Sequence, residues 1–374
     1  MIEFTTPSGT IDRIGSECKT LRQLEAQLRQ CFAHWGYEEV MTPMVEYYKT
    51  FTAAQMKDQE MYKMLDASNQ ILTLRGDMTI PIARLAATKC KDIPLPLRFQ
   101  YSASVFKLQK DFSGNQNEGM DCGVELLGVE EPYGDMEILN CALDALSLLK
   151  DQRYTLEIGN RKFFLAACEA LHLPKSTIHT LADLINRKSI TALNEYVNQL
   201  ELNEDKKNFF RHLPWLCGDG TILTQARAYA FDPKLTAILD ELEQCRIQCV
   251  QLGYGEQISF DLGKIPRMQY YSGIIFEAFV EGVSDSVLSG GRYDHLCERF
   301  HRPLPAIGFA IRLDALAKVM KHYPASPSLI LSYPPHLQGE ALKQAAVLRQ
   351  THIVNLQVDI SLDHIQVMEG VKSC

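Results

Sequence analysis

The chain has 374 residues, of which 46% are apolar and 22% charged. That is ordinary globular composition for two or three domains, and it excludes a disordered, collagen-like or small disulfide-stapled protein. Lys and Arg number 38 against 46 Asp and Glu, a formal net charge of −8, so nucleic acid is not the default partner. From the N-terminus, MIEFTTPSGTIDRIGSECK lacks a basic segment followed by an apolar core, so no secretory signal is expected. Residues 16–35 carry Leu21, Leu24, Leu28 and Phe32 at helical spacing, and Gly36 stops the helix. Residues 37–47 read as a strand interrupted by Pro43, residues 70–75 as a strand and 79–90 as a helix. Strands at 97–107 and 122–128 flank a polar loop, 108–119, which makes a hairpin. A helix follows at 134–150.

Between about 160 and 250 strand signals nearly vanish and helical patterns dominate, at 160–171, 176–187, 189–199, 204–211 and 233–250. This stretch reads as an inserted helical domain. Strands resume at 257–262 and 273–281, followed by a Gly-rich turn at 289–294, a helix near 295–300, a strand at 306–312 and a helix at 313–321. Residues 322–327 carry two prolines and suit a linker. The tail, 328–374, reads strand, helix, strand. The expected organisation is therefore one domain over 1–321, interrupted by the helical insertion at 160–250, and a short α/β remnant over 328–374. Hairpin-length connections in the first part indicate an α+β fold on a mainly antiparallel sheet. No G-x-G-x-x-G follows a strand, and no G-x-x-x-x-G-K-[ST] occurs.

No window of about 18 apolar residues occurs, so no membrane span is expected. The 11 cysteines are odd in number and irregular in spacing, as free buried thiols are, which fits a reducing cytoplasm. Cys245 and Cys249 stand four apart on a helix without a His or Cys cluster nearby. The ten histidines are scattered and form no H-E-x-x-H. No residue is assigned to a metal, no cofactor is expected, and no nucleophilic catalytic set is identifiable.

Four segments in order carry a more specific signal: GYEEVMTPMVE at 36–46, LRGDMTIPIAR at 74–84, the stretch 105–128, and 289–316 beginning SGGRYD. They resemble motifs 1, 2 and 3 of the class II aminoacyl-tRNA synthetases, and YYSGIIFE at 270–277 resembles the histidine-specificity motif of the histidyl-tRNA synthetases. The resemblance implies a six- or seven-stranded antiparallel sheet with flanking helices, a motif 1 dimer interface, and a helical insertion between motifs 2 and 3. It also implies a histidine pocket at Asp77, Thr79, Asp121, Glu125, Tyr270 and Tyr271, with carboxylates facing a cationic ligand beside an aromatic wall. On the residues alone, Asp77 also suits the N-cap of the helix from Thr79, and Gly290 and Gly291 suit a tight turn.

The resembling family grips ATP with one arginine in motif 2 and one in motif 3, because the guanidinium fork holds phosphate oxygens in pairs. Here Lys107 stands at the first position and Ala315 at the second, while Arg312 replaces the glycine that gives the nucleotide room. Pro266 or Arg267 occupies the place of the arginine in the specificity segment. Each such loss costs on the order of 2–4 kcal/mol of transition-state stabilisation, so adenylation should be abolished. Only about 50 residues follow the linker, where a histidyl-tRNA synthetase has a full anticodon-binding domain. This combination resembles the regulatory subunits of ATP phosphoribosyltransferase in histidine biosynthesis. That group implies a short-form catalytic subunit as partner in a hetero-oligomer, a hetero-octamer by the same resemblance, with histidine as feedback inhibitor and no catalysis by this chain. The alternative is an active histidyl-tRNA synthetase or another amino-acid-activating paralogue.

Overall fold

A computed structural model describes residues 4–54, 56–109, 116–150, 152–265, 270–320 and 328–370. The first helix, Gly15–His34, buries Leu21, Leu24, Leu28 and Phe32, the spacing that the sequence shows. It ends at Gly36, whose φ of +81° is the left-handed conformation that glycine adopts without strain. By internal contacts the chain divides into two compact units, Met1–Thr10 with Leu24–Val319, and Ile11–Gln23 with Met320–Cys374.

The larger unit is built on a mixed sheet. Among the described residues its nine strands run, in spatial order, Glu38–Glu39, Leu97–Phe106, Glu118–Leu127, Ala306–Arg312, Leu288–Arg292, Ile274–Val280, Tyr154–Asn160, Ile258–Asp261 and Cys217–Gly218. The six strands from Leu97–Phe106 to Tyr154–Asn160 pair antiparallel throughout. This is the sheet that the family resemblance implies. Short parallel pairings widen it at both edges, with Glu38–Glu39 on one side and Ile258–Asp261 on the other.

The expected strand at 37–47 divides at Pro43. Glu38–Glu39 joins the large sheet, and Val45–Tyr47 joins a separate antiparallel sheet with Ile71–Leu74 and Lys63–Leu65. Proline lacks the N–H that a continuous ladder needs. Within Val45–Tyr47, Glu46 points inward to an ion pair with Arg84 at 2.5 Å, while Val45 and Tyr47 are exposed.

Residues 289–294 are not a turn. Leu288–Arg292 is a central strand paired on both sides. Its glycines answer to crowding: a Cβ at Gly290 would lie 2.5 Å from Gly308 O and 2.6 Å from the ring of Phe276. The hairpin loop is also shorter than 108–119, because its second strand begins at Glu118. Behind this strand Arg292, 1% exposed, pairs with Asp135 at 2.6 Å and Asp294 at 3.1 Å. Burial pushes the Asp135 carboxyl up to about 6, and the Arg292 guanidinium partly offsets it.

Six helices occur between 161 and 251: Arg161–Ala170, Lys175–Asn186, Ile190–Gln199, Glu204–His212, Thr221–Arg227 and Pro233–Gln251. Their starts follow capping chemistry. Asn160, Asn203 and Asp232 each accept a first-turn backbone N–H, and Pro233 follows Asp232 at the first helical position. Phe163, Phe209 and Phe210 form their aromatic core, with Phe209 and Phe210 edge to face at 5.2 Å.

In the smaller unit, Ser328–Tyr333 is flanked by Ile353–Val358, parallel, and Gln366–Gly370, antiparallel. The helix Gln338–Leu348 sets Ala341 and Ala345 against Leu331, Tyr333 and Val354. The last strand was not expected from the sequence. The linker residues 322–327, like Pro266 and Arg267, lie outside the described residues.

Candidate functional site

A cavity of about 490 Å³ opens over the middle strands of the large sheet. Asp77, Thr79, Asp121, Tyr270 and Tyr271 line it, as do Lys107, Arg312 and Ala315. The family resemblance divides these residues between an amino-acid pocket and a degenerate nucleotide site. They form one continuous wall.

Glu125 is placed differently. It is 1% exposed and lies behind the wall, with both oxygens engaged. Thr79 Oγ1 donates to Oε1 at 2.8 Å, and the Tyr293 hydroxyl donates to Oε2. Room for the carboxylate comes from the facing strand, where residue 308 is glycine. Burial pushes the Glu125 carboxyl up to about 8; the bonds from Tyr293 and Thr79 pull it back, and nearby Asp77 adds to the rise.

Asp77 lines the cavity and is tied by one oxygen to the start of the neighbouring helix. Its Oδ1 accepts the Ile80 N–H at 3.0 Å, in the first turn of the helix Thr79–Ala87, whose N-cap position is Met78 rather than Asp77. Its Oδ2 is buried at the cavity and has no hydrogen-bond partner among the described residues. Burial raises the Asp77 carboxyl above its ordinary value, while the Ile80 N–H and Lys107 lower it. Asp121 is pushed up to about 7 by burial, opposed first by Lys107 and then by Arg312. Arg312 stands opposite Asp121 in the strand register and donates through Nη2 to Ser286 O. Asp314 Oδ2 accepts the Met120 N–H at 2.7 Å and holds the turn after Arg312 onto the sheet.

The aromatic side of the cavity holds three tyrosines. The Tyr270 ring is 5.1 Å from that of Tyr271 and 6.2 Å from that of Tyr293. Tyr101 also lines the cavity, its hydroxyl so close to Gly123 that a Cβ there would come within 2.8 Å. Sequence reasoning missed Tyr101 and Tyr293 as site residues. Tyr293 was within reach, since it follows the Gly290-Gly291-Arg292 run, but its partner Glu125 is 168 residues away.

The hairpin carrying Lys107 is anchored at its base. The Lys107 N–H donates to Asn117 O and the Gln109 N–H to Asn117 Oδ1, both at 2.8 Å. Asn117 in turn donates its N–H to Gly9 O at 2.8 Å and Nδ2 to Ser8 O at 3.0 Å. A second cavity, of about 470 Å³, lies beside the first and shares Tyr271, Ser289 and Gly290 with it. There Lys264 bridges Glu157 and Glu277, each at 2.7 Å.

Among the described residues, no group of three or more His, Cys, Asp or Glu side chains is placed to hold a metal ion. Nor is any helix long and apolar enough to cross a membrane.

The family model described as histidyl-tRNA synthetase matches residues 9–316. An ATP phosphoribosyltransferase regulatory subunit from Clostridium botulinum (strain 657 / Type Ba4) is 33% identical over 319 residues, 84% of this chain and 76% of that protein. One from Thermoanaerobacter sp. (strain X514) is 33% identical over 348 residues, covering 92% and 91% of the two chains. A crystal structure described as an ATP phosphoribosyltransferase regulatory subunit/histidyl-tRNA synthetase from Bacillus halodurans superposes with a TM-score of 0.87 at 29% identity, over 97% of this chain and 95% of that one.

Proposed function

This chain belongs to the histidyl-tRNA synthetase family, among its ATP phosphoribosyltransferase regulatory subunits, and from that premise we propose that it supports a short-form catalytic subunit in histidine biosynthesis and makes it sensitive to histidine. The chain contributes no catalytic group. Histidine binds in the cavity of Asp77, Thr79, Asp121, Tyr270 and Tyr271, with Glu125 holding Thr79 and Tyr293 in place behind it. The chain pairs with a second copy through the exposed apolar residues around 41–47, and the pair assembles with the partner in the cytoplasm.

One observation carries this reading. One cavity wall keeps the carboxyls and tyrosines of an amino-acid pocket and also carries Arg312, Ala315 and Lys107, with Arg312 opposite Asp121 in the strand register. A guanidinium tied to Ser286 O stands where the resembling family has a glycine. A methyl and a single ammonium stand where two guanidinium forks would grip phosphate.

The test is co-expression with the short catalytic subunit and assay of ATP phosphoribosyl transfer with and without histidine. Activity that depends on the assembled pair and falls with histidine supports the proposal; activity indifferent to histidine refutes the regulatory part. The second reading, an amino-acid-activating enzyme, draws on the double description of the Bacillus halodurans structure. Histidine-dependent exchange of pyrophosphate into ATP would favour it.

A further inference from the structure

We propose that Arg161, the first helical residue of the insertion, is a positioning residue for the tyrosine wall: its grip on the backbone of Tyr271 sets how tightly histidine is held. This rests on the reading of the cavity as a histidine site and goes beyond it, because Arg161 lines neither cavity and acts from outside them.

Tyr271 lines both cavities, of about 490 and 470 Å³, so it borders two open spaces. Its ring rests on Tyr270, 5.1 Å between centroids, and on Gly291, where a Cβ would come within 2.8 Å of it. A core side chain is fixed by close packing on every side. A tyrosine between two cavities depends more on its backbone. That backbone is held by residue 161. Arg161 Nη1 donates to Tyr271 O, and the Arg161 N–H donates to Gly273 O at 3.0 Å. One residue thus holds both ends of 271–273. Between them, Ser272 donates its N–H to Arg292 O at 2.7 Å and its Oγ to Asp294 Oδ2 at 3.0 Å.

The Arg161 side chain is half-buried, and burial lowers its pKa. A charged donor holds a carbonyl more firmly than a neutral one, and a drier setting strengthens the bond. Arg161 is itself well placed to act as an anchor. It opens the helix Arg161–Ala170, whose cap Asn160 accepts the Lys162 N–H at 2.9 Å and stands opposite Ile274 in the sheet. Phe163 and Phe164 of the same helix are buried against Phe209 and Phe210 of the insertion. A second contact from the insertion falls nearby, where Asn186 Oδ1 accepts the Ile265 N–H at 3.1 Å. The tyrosine wall is therefore tied to the helical insertion as well as to the sheet. Binding groups need such support, because a shift of about 0.5 Å already loosens a site.

The test titrates histidine into the full chain by calorimetry. Arg161→Met keeps the aliphatic stem and removes the donor, and should weaken histidine about 5–50-fold, part of the worth of one charge-assisted hydrogen bond. Arg161→Lys keeps a cationic donor and should restore most of the affinity. Tyr271→Leu should weaken histidine about 5–50-fold by itself. Adding Arg161→Met to it should cost less than about twofold more, because the group that Arg161 places is gone. Losses that add in full would show a general effect on the fold and overturn the inference. So would Arg161→Met, or Tyr271→Leu, binding histidine like the unaltered protein. In the unaltered protein, histidine should slow amide exchange over 161–170, since ordering of the tyrosines tightens the Arg161 grip. Unchanged exchange there would overturn the inference and leave the histidine site standing, and this measurement decides even if a variant fails to fold. An unaltered protein that binds no histidine would overturn both readings.

Discussion

Gly308 stands directly opposite Glu125 in the pairing of Ala306–Arg312 with Glu118–Leu127, and a Cβ at 308 would fall 1.9 Å from Glu125 Oε2 and 2.4 Å from Val124 O. The backbone oxygen cannot step aside, so Gly308→Ala should cost about 1–3 kcal/mol as an overpacked site. The displaced carboxylate would release Thr79 and Tyr293 from the cavity wall. Urea unfolding and histidine titration of Gly308→Ala should both report a loss. A variant matching the unaltered protein in both would mean the strand spacing is softer than this.

Asp77 faces the cavity and Glu125 lies behind it, so removing their charges should have unequal effects. Asp77→Asn keeps an oxygen for the Ile80 N–H but removes the counter-charge, and should raise the histidine needed for half inhibition about 10–100-fold. Glu125→Gln keeps shape and hydrogen-bonding capacity, and Glu125 is held largely neutral near pH 7. Its inhibition curve should move less than tenfold, whereas Glu125→Ala should move it about 10–100-fold by freeing Thr79 and Tyr293. Basal activity of the complex should survive in all three. An order with Glu125→Gln worse than Asp77→Asn would place the ligand against Glu125.

Stability should depend on pH in an unusual direction. Folding raises the Glu125 carboxyl from 4.5 to about 8 and the Asp121 carboxyl from 3.8 to about 7. Between those limits the folded state binds more protons than the unfolded one, so the contribution of these groups falls as pH rises. The ligand-free protein should lose on the order of a few kcal/mol relative to Glu125→Gln between pH 5 and 8. Chemical denaturation of both proteins across that range gives the difference curve, and a difference that is flat or rises with pH contradicts the assignment. Cationic ligands favour the ionised carboxyls, so histidine binding near pH 7 should release protons, which titrations in buffers of different ionisation enthalpy detect.

What could be read from the sequence divides by physical cause. Helix Gly15–His34 buries a regular stripe, and strands Leu97–Phe106, Ile274–Val280 and Ala306–Arg312 are mostly buried runs rich in apolar residues, so each stands out in the sequence. Glu118–Leu127 was placed four residues late because its first half turns polar residues to the cavity rather than apolar ones to the core. Tyr154–Asn160 alternates buried Leu156 and Ile158 with Thr155 and Glu157, but the run is short and leads directly into the helix Arg161–Ala170, so its period is easily lost. Cys217–Gly218 is too short to show any period. At the site, Thr79 and Tyr270 were reachable through family resemblance. The layering of Glu125 behind Thr79 and Tyr293 depends on strands far apart in the chain, and no local pattern records it.

The exposed faces of Met41, Met44, Val45, Tyr47, Leu65 and Ile71 should be covered by a second copy of the chain. In the strand Val45–Tyr47 the outward residues are apolar, and Glu46 is the one turned inward, the reverse of a strand facing solvent. Val45→Asp combined with Tyr47→Asp leaves the Glu46–Arg84 pair in place and should convert a dimer into a monomer in sedimentation at micromolar concentration. A monomer before mutation would refute the assembly.

The protein alone should not form histidyl-adenylate. Adenylation requires the α-phosphate to be held in line with the amino-acid carboxylate while negative charge builds on the phosphorus oxygens. Of the wall residues near that position, Lys107 offers one ammonium, Ala315 offers no polar atom, and Arg312 is drawn away to Ser286 O. The loss of one preorganised donor costs on the order of 2–4 kcal/mol in such a transition state, and two are missing here, so the rate should fall below background. The measurement is exchange of labelled pyrophosphate into ATP, with and without histidine. Histidine-dependent exchange above background would show that the cavity still activates an amino acid.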